Sequence, residues 1–157
     1  MILAMTFVLQ ESSLAAIRAH ARGVYPEECC GLIIERDGRE EIVQATNIQN
    51  ELHAQDPDQF PRTAAIAYMM GPEAAPVLIR SERGELRLLA IYHSHPDHDA
   101  YFSEEDRRQA CGASEEPMYP QAVQIVMSVR NREVCATKVF VWDAEARDYA
   151  EAQIRSM

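Results

Sequence analysis

At 157 residues the chain is long enough for one domain, 1–157, with a proper core, and its 47% hydrophobic and 25% charged residues are ordinary for a soluble globular protein. Twenty-five acidic residues against fifteen basic ones give a formal charge of -10, a surface that repels a phosphate backbone and argues against a nucleic-acid partner. No apolar run approaches the length of a membrane span, and Met1–Leu9 has neither a basic n-region nor a small-residue cleavage site, so it reads as a strand rather than a signal peptide.

In chain order, residues 5–9 read as that first strand. Glu11 to Arg22 has helical spacing, with Leu14, Ile17 and Ala21 on one face and Gly23 past its end. Tyr25-Pro26-Glu27-Glu28 is a connector. Cys29 to Glu35 is an apolar strand, Asp37-Gly38 a hairpin turn, and Glu41 to Thr46 the returning strand. Residues 47–62 are polar and broken by two prolines, which predicts a long surface loop. Ala64 to Met70 reads as another strand, and Gly71-Pro72 as the opening of a helix to about Arg83.

Leu86 to Tyr92 is an apolar run of strand length, and Ser103 is placed to cap a helix that ends near Cys111. Gly112 to Pro120 is a loop. Ala122 to Val129 is apolar on both faces, as a central buried strand is. Arg130-Asn131-Arg132 turns the chain into a strand from Val134 to Trp142, and Trp142 reads as core. Arg147 to Ile154 suits helix by composition, but a turn at 143–146 would make it a last hairpin strand, which is the reading adopted. Hairpins interrupted by helices predict a mixed α/β fold around one main sheet. The four cysteines, Cys29, Cys30, Cys111 and Cys135, fit no disulfide framework or zinc knuckle and read as buried reduced thiols, which implies a cytoplasmic setting.

The chemistry concentrates at the end of the Leu86 run, in His93-Ser94-His95-Pro96-Asp97-His98-Asp99-Ala100-Tyr101-Phe102-Ser103-Glu104-Glu105-Asp106. Period two in a strand points His93 and His95 to one side, and Pro96 ends the ladder. Asp106 falls in the first turn of the Ser103 helix. Two imidazoles and a carboxylate make a three-ligand zinc site with a position left for water. Alone, a His-x-His pair is commonly surface decoration and Ser-x-x-Asp a plain helix start; together they point to a metal. Such a site still needs a base for the proton of its water, and the ligands do not identify it. His20, His53 and His98 read as structural or surface residues, and Asp97 and Asp99 as a solvated turn.

His93-x-His95-Pro96, six further residues, then Ser103-x-x-Asp106 resembles the signature of the JAMM (MPN-domain) metallopeptidases. Glu28, just before Cys29-Cys30-Gly31, resembles the family's first motif. The order of elements is most similar to the compact bacterial members. The resemblance implies a single MPN-like, cytidine-deaminase-like domain, with a mixed, partly barrel-like sheet flanked by helices. It also implies one Zn2+ per chain held by His93, His95 and Asp106, Glu28 as general base, and Ser103 as donor to the oxyanion. Glu27 is the alternative base; the family's spacing to the glycine, here Gly31, selects Glu28. Relatives commonly have proline where Phe102 stands.

The implied substrate is a ubiquitin-like or sulfur-carrier protein, cleaved after its C-terminal Gly-Gly as an isopeptide or peptide bond. Segments 47–62 and 97–102 are the expected frame of the groove. Two other classes compete. One is a non-catalytic MPN scaffold in a protein complex, although such members usually lose ligands and none is lost here. The other is a deaminase, which would want a Pro-Cys-x-x-Cys pair that the chain lacks.

Overall fold

The computed structural model describes residues 5–157. Met1–Ala4 lie outside the described residues, and the reading of the chain's start as a strand is met from Thr6 onward. Eleven elements follow in order: β1 Thr6–Leu9, α1 Glu11–Val24, β2 Cys30–Arg36, β3 Arg39–Ala45, α2 Gln49–Gln55, α3 Ala74–Glu82, β4 Arg87–Pro96, α4 Glu104–Cys111, β5 Val123–Arg130, β6 Glu133–Asp143 and β7 Asp148–Ser156. The strands form one mixed, curled sheet in the order β1-β7-β6-β5-β4-β2-β3.

Local chemistry explains most of this layout. Asp37 and Gly38 both have positive φ, the conformation that a two-residue hairpin loop needs between β2 and β3. Asn131 and Arg132 do the same between β5 and β6. β4 pairs with β5 in parallel and with β2 antiparallel, so it runs through the middle of the sheet. The tail is a strand, antiparallel to β6 and parallel to β1.

The inner strands of the sheet are buried from both sides. α1 lays Leu14, Ile17 and Ala21 over Ile33, Ala90, Tyr92 and Ile125. On the opposite face, Ala74, Val77 and Leu78 of α3 meet Leu32, Ile34 and Leu88. β5 is buried from Val123 to Val129, as its two apolar faces require. Gly31 lies opposite Tyr92 in the β2–β4 ladder, and the Tyr92 ring covers the space a Cβ would take. The Tyr92 hydroxyl reaches His20 Nδ1 at 2.7 Å, which gives His20 a structural partner.

Five sequence expectations are corrected. Ala64 to Met70 is not a strand; it holds turns and one isolated bridge, Asn47 to Met70. Its backbone is bonded by the Asn47 side chain, which donates to Ala67 O at 3.1 Å and accepts from Met69 N at 3.1 Å, in place of a ladder. Residues 47–62 are not wholly loop. They contain α2, opened by Asn47 Oδ1 accepting from Gln49 N at 3.1 Å and stopped at Asp56-Pro57. Trp142 is half-buried rather than core, with its edge against Tyr149 and Arg107 over its ring. Cys135 is exposed on β6, whereas Cys29, Cys30 and Cys111 are buried. The helix expected from Pro72 starts at Ala74, with Pro76 in its first turn where a missing N–H costs little.

Replacing Gly31 by alanine forces its Cβ into the Tyr92 ring inside van der Waals contact. Gly31→Ala is expected to cost about 1–3 kcal/mol and lower the thermal midpoint by several degrees. A melt followed by circular dichroism checks this.

Candidate metal centre

β4 delivers the two histidines. His93 is fully buried and pairs with Cys30 on one side and Val126 on the other; His95 pairs with Ser128. Both side chains leave the same face, and their Nε2 atoms stand 3.1 Å apart. Ser94, between them, points the other way. Its Oγ accepts from Cys29 N at 2.8 Å, and its own N–H donates to Cys29 O at 3.2 Å. That double link fixes the connector carrying Glu28 against β4. Sequence reading missed Ser94, although a polar side chain on the buried side of a strand had to find a partner.

α4 delivers the carboxylate. Ser103 Oγ accepts from Asp106 N at 3.1 Å and Asp106 Oδ2 accepts from Ser103 N at 2.9 Å, a reciprocal capping box. The same aspartate lies 3.1 Å from His93 Nε2 through Oδ1 and 3.3 Å from His95 Nε2 through Oδ2. Phe102 anchors the start of the helix by packing on Phe140 and Tyr149, which is what the residue before the serine does here.

The donor set fits a divalent metal. One ligand atom from each of His93, His95 and Asp106 lies within 4.8 Å of the others, and all three residues are buried. His95 Nδ1 sits 2.9 Å from Asp99 O, and a carbonyl only accepts, so Nδ1 carries a proton and, in the neutral ring, Nε2 presents a lone pair. Lone pairs from two imidazoles and a carboxylate converging this closely repel one another unless a cation lies among them. Burial works against the charge on Asp106, but the two imidazoles and the Ser103 N–H outweigh it and hold the carboxyl well below the usual range. Burial also opposes protonation of His95; Asp106 and the Asp99 carbonyl outweigh it and raise its pKa.

Glu28 is buried beside this group. Burial pushes its carboxyl up to about 7, against the pull of His93 and His95. Its backbone is tied down at both ends: Glu28 N donates to Ala64 O at 2.8 Å, and Asn47 Nδ2 donates to Glu28 O at 3.0 Å. Glu27 turns away and accepts from Asn50 Nδ2 at 3.0 Å, in an exposed pair.

Glu28, His95, Ser103 and Asp106 open onto one cleft of about 1070 Å³, and His93 is buried behind them against Asp106. Phe60 and Arg62 line one wall, from the segment 47–62, and His98 and Tyr101 another, from 97–102. Ile66, Met69 and Tyr101 add exposed apolar surface to its lip. His98 is exposed, and its carbonyl accepts from Ser128 Oγ at 2.6 Å. His53 Nδ1 pairs with Phe60 O at 2.7 Å and holds the cleft wall rather than facing the metal group. Asp97 and Asp99 are exposed, as a solvated turn should be, but both are paired: Asp97 with Tyr25, Asp99 with Arg130.

The model of the family described as prokaryotic homologs of the JAB domain matches residues 10–144. Over 109 residues the chain is 30% identical to Tail tip assembly protein K of Escherichia phage N15, an alignment that covers 68% of this chain and 37% of the phage protein. The chain therefore spans well under half the length of that relative. Among solved structures, a protein from Desulfitobacterium hafniense superposes with a TM-score of 0.62 at 20% identity, covering 98% of this chain and 93% of that one. A protein from Salinibacter ruber gives a TM-score of 0.59 at 23% identity, covering 97% and 90%. At these identities the likeness concerns the fold. No helix among the described residues is long and apolar enough to cross a membrane.

The raised Glu28 carboxyl makes the metal-free protein pH-sensitive. A folded pKa of about 7, above an unfolded value near 4.5, contributes stability at acid pH that is lost as pH rises through 7. Glu28→Gln removes that titration. In chelator-treated protein the wild type is expected to lose up to about 3 kcal/mol more than Glu28→Gln between pH 5 and pH 8. Paired thermal melts at the two pH values read it.

Proposed function

The chain belongs to the family of prokaryotic homologs of the JAB domain, and we propose that it is a JAMM-type zinc metallopeptidase. Its substrate would be a ubiquitin-like or sulfur-carrier protein, hydrolysed after the C-terminal Gly-Gly. The observation that carries this reading is the convergence of a buried Glu28 with the His93, His95 and Asp106 group on one open cleft. A metal-binding scaffold has no need of a buried carboxylic acid beside its ligands.

His93, His95 and Asp106 would hold the zinc. When bound, zinc lowers the pKa of water and polarises a carbonyl. Glu28 is suited to take up and release protons at neutral pH, because its carboxyl is pushed to about 7. It accepts the proton of the attacking water and passes it to the departing amine nitrogen. Ser103 supports the carbonyl oxygen as charge develops there. Its two roles do not compete. Capping α4 uses a lone pair of Oγ, accepting from Asp106 N, and leaves the O–H free to donate. The buried surroundings strengthen both effects by excluding water.

An extended substrate end without side chains suits this cleft. His95 and Asp106 line it and exposed Ile66, Met69 and Tyr101 border it, so a glycine tail would reach the ligands while the folded body of a carrier rests on the apolar surface. A second reading has one observation in its favour: the relative in phage N15 is named as an assembly protein. On that reading the domain is a scaffold in a protein complex. The two differ in chemistry rather than in fold.

Purified protein is expected to carry about one zinc per chain, and His95→Ala or Asp106→Ala to lose it. Unchanged metal content in those variants would refute the ligand assignment. Glu28→Gln is expected to keep the metal and to lose turnover by at least a hundredfold, assayed by mass spectrometry on carrier proteins extended beyond Gly-Gly. A fully active Glu28→Gln, or a zinc-loaded wild type that leaves every extended carrier intact, sinks the peptidase reading and favours the scaffold.

A further inference from the structure

The two histidines of the metal group are not held in the same way. His95 has the usual support, its Nδ1–H donating to the Asp99 carbonyl at 2.9 Å. His93 Nδ1 is buried and has no hydrogen-bond partner among the described residues. A ring whose second nitrogen is unpaired can rotate about its side-chain bonds and take its Nε2 out of line. Yet His93 Nε2 stands in contact with both His95 Nε2, at 3.1 Å, and Asp106 Oδ1, at 3.1 Å.

One face of the His93 ring lies against Tyr68. The two rings are stacked, with centroids 4.7 Å apart and planes 28° from parallel. Tyr68 is buried with Cys30 and Ala45 behind it. Its position is over-determined although it lies in no helix or strand. Asn47 holds the backbone on either side, at Ala67 O and at Met69 N, each at 3.1 Å. The Tyr68 carbonyl accepts from Gln109 Nε2 at 2.8 Å, and Gln109 lies one turn beyond Asp106 on α4. Asn47 Nδ2 donates also to Glu28 O. The tyrosine is thus tied to the elements that carry the carboxylate ligand and the buried glutamate.

We infer that Tyr68 is a positioning residue for the metal centre: its ring, stacked on His93, fixes the imidazole plane that a hydrogen bond to Nδ1 would otherwise fix. The inference rests on the metal-binding part of the reading above and adds a residue to it. The ring, and not the hydroxyl, does the work. Removing the support of a ligand histidine typically weakens metal binding by about 10- to 100-fold, and that is the loss expected here.

The test compares Tyr68→Phe, Tyr68→Leu and Tyr68→Met with the wild type. Zinc affinity is measured by chelator competition, and the cobalt-substituted proteins are compared by visible absorption. Tyr68→Phe is expected to bind zinc as the wild type does, with the same cobalt spectrum. The leucine and methionine variants, which fill the space without a ring to stack, are expected to lose about tenfold or more in affinity and to show a shifted spectrum. The methionine variant, unbranched and adaptable, keeps the comparison available if leucine does not fold. Metal-free melting temperatures separate loss of fold from loss of support. Wild-type affinity and spectrum in either folded ring-less variant would overturn the inference while leaving the metal centre intact. An equal loss in Tyr68→Phe would overturn it in favour of the hydroxyl. A wild type that binds neither zinc nor cobalt would overturn the metal reading itself, and this inference with it.

Discussion

Asp106 carries its charge out of water, which a carboxylate does only where donors or cations meet both of its oxygens. Here Oδ2 accepts from the Ser103 N–H, while Oδ1, 3.1 Å from His93 Nε2, faces the point among the three ligands where a cation would sit. That arrangement constrains the rest of the molecule. The histidine strand must run through the centre of the sheet, so that β2 and β5 bury it on both sides. α4 must begin within reach of that strand's end. Phe102, wedged against Phe140 and Tyr149, fixes where it begins. A helix start, usually a matter of local capping, becomes a wall of the site.

Three parts of the chain distant in sequence complete that wall, and small polar residues join them. Ser94 binds both backbone groups of Cys29 and so locks the Glu28 connector to β4. Asn47 spends its amide on Glu28, Ala67, Met69 and Gln49. An amide so fully used behaves as a rigid joint, since both of its ends are engaged with the segments it connects. Neither residue needs to touch a substrate to matter to the chemistry.

What could be read in advance follows the range of the signal. The hairpin at Asp37-Gly38, the apolar helix face of α1, the buried β5 and the His-x-His strand end rest on local periodicity or turn chemistry, and each stands where it was expected. Ser103 as cap and Asp106 in the first turn were legible for the same reason. Glu28 was not derivable from the ligands. It lies more than sixty residues upstream, and the family's motif, not spacing, pointed to it. The segment 64–70 has the composition of a strand, but its backbone bonds go to the Asn47 side chain, a tertiary contact with no local trace. Tyr68 was hidden within that misread stretch. Trp142 and Cys135 show the limit of residue type as a guide to burial: Cys135 falls where the β5–β6 register shifts, and Trp142 lies near the end of β6, where burial falls off.

The chemistry proposed for the cleft depends most on the position of one cation. X-ray data collected at the zinc absorption edge from crystals of the zinc-loaded protein locate it directly. The account predicts one strong anomalous peak per chain, about 2.0–2.2 Å from His93 Nε2, His95 Nε2 and an Asp106 carboxylate oxygen. Zinc bound elsewhere on the chain, with these three side chains left uncoordinated, would contradict it.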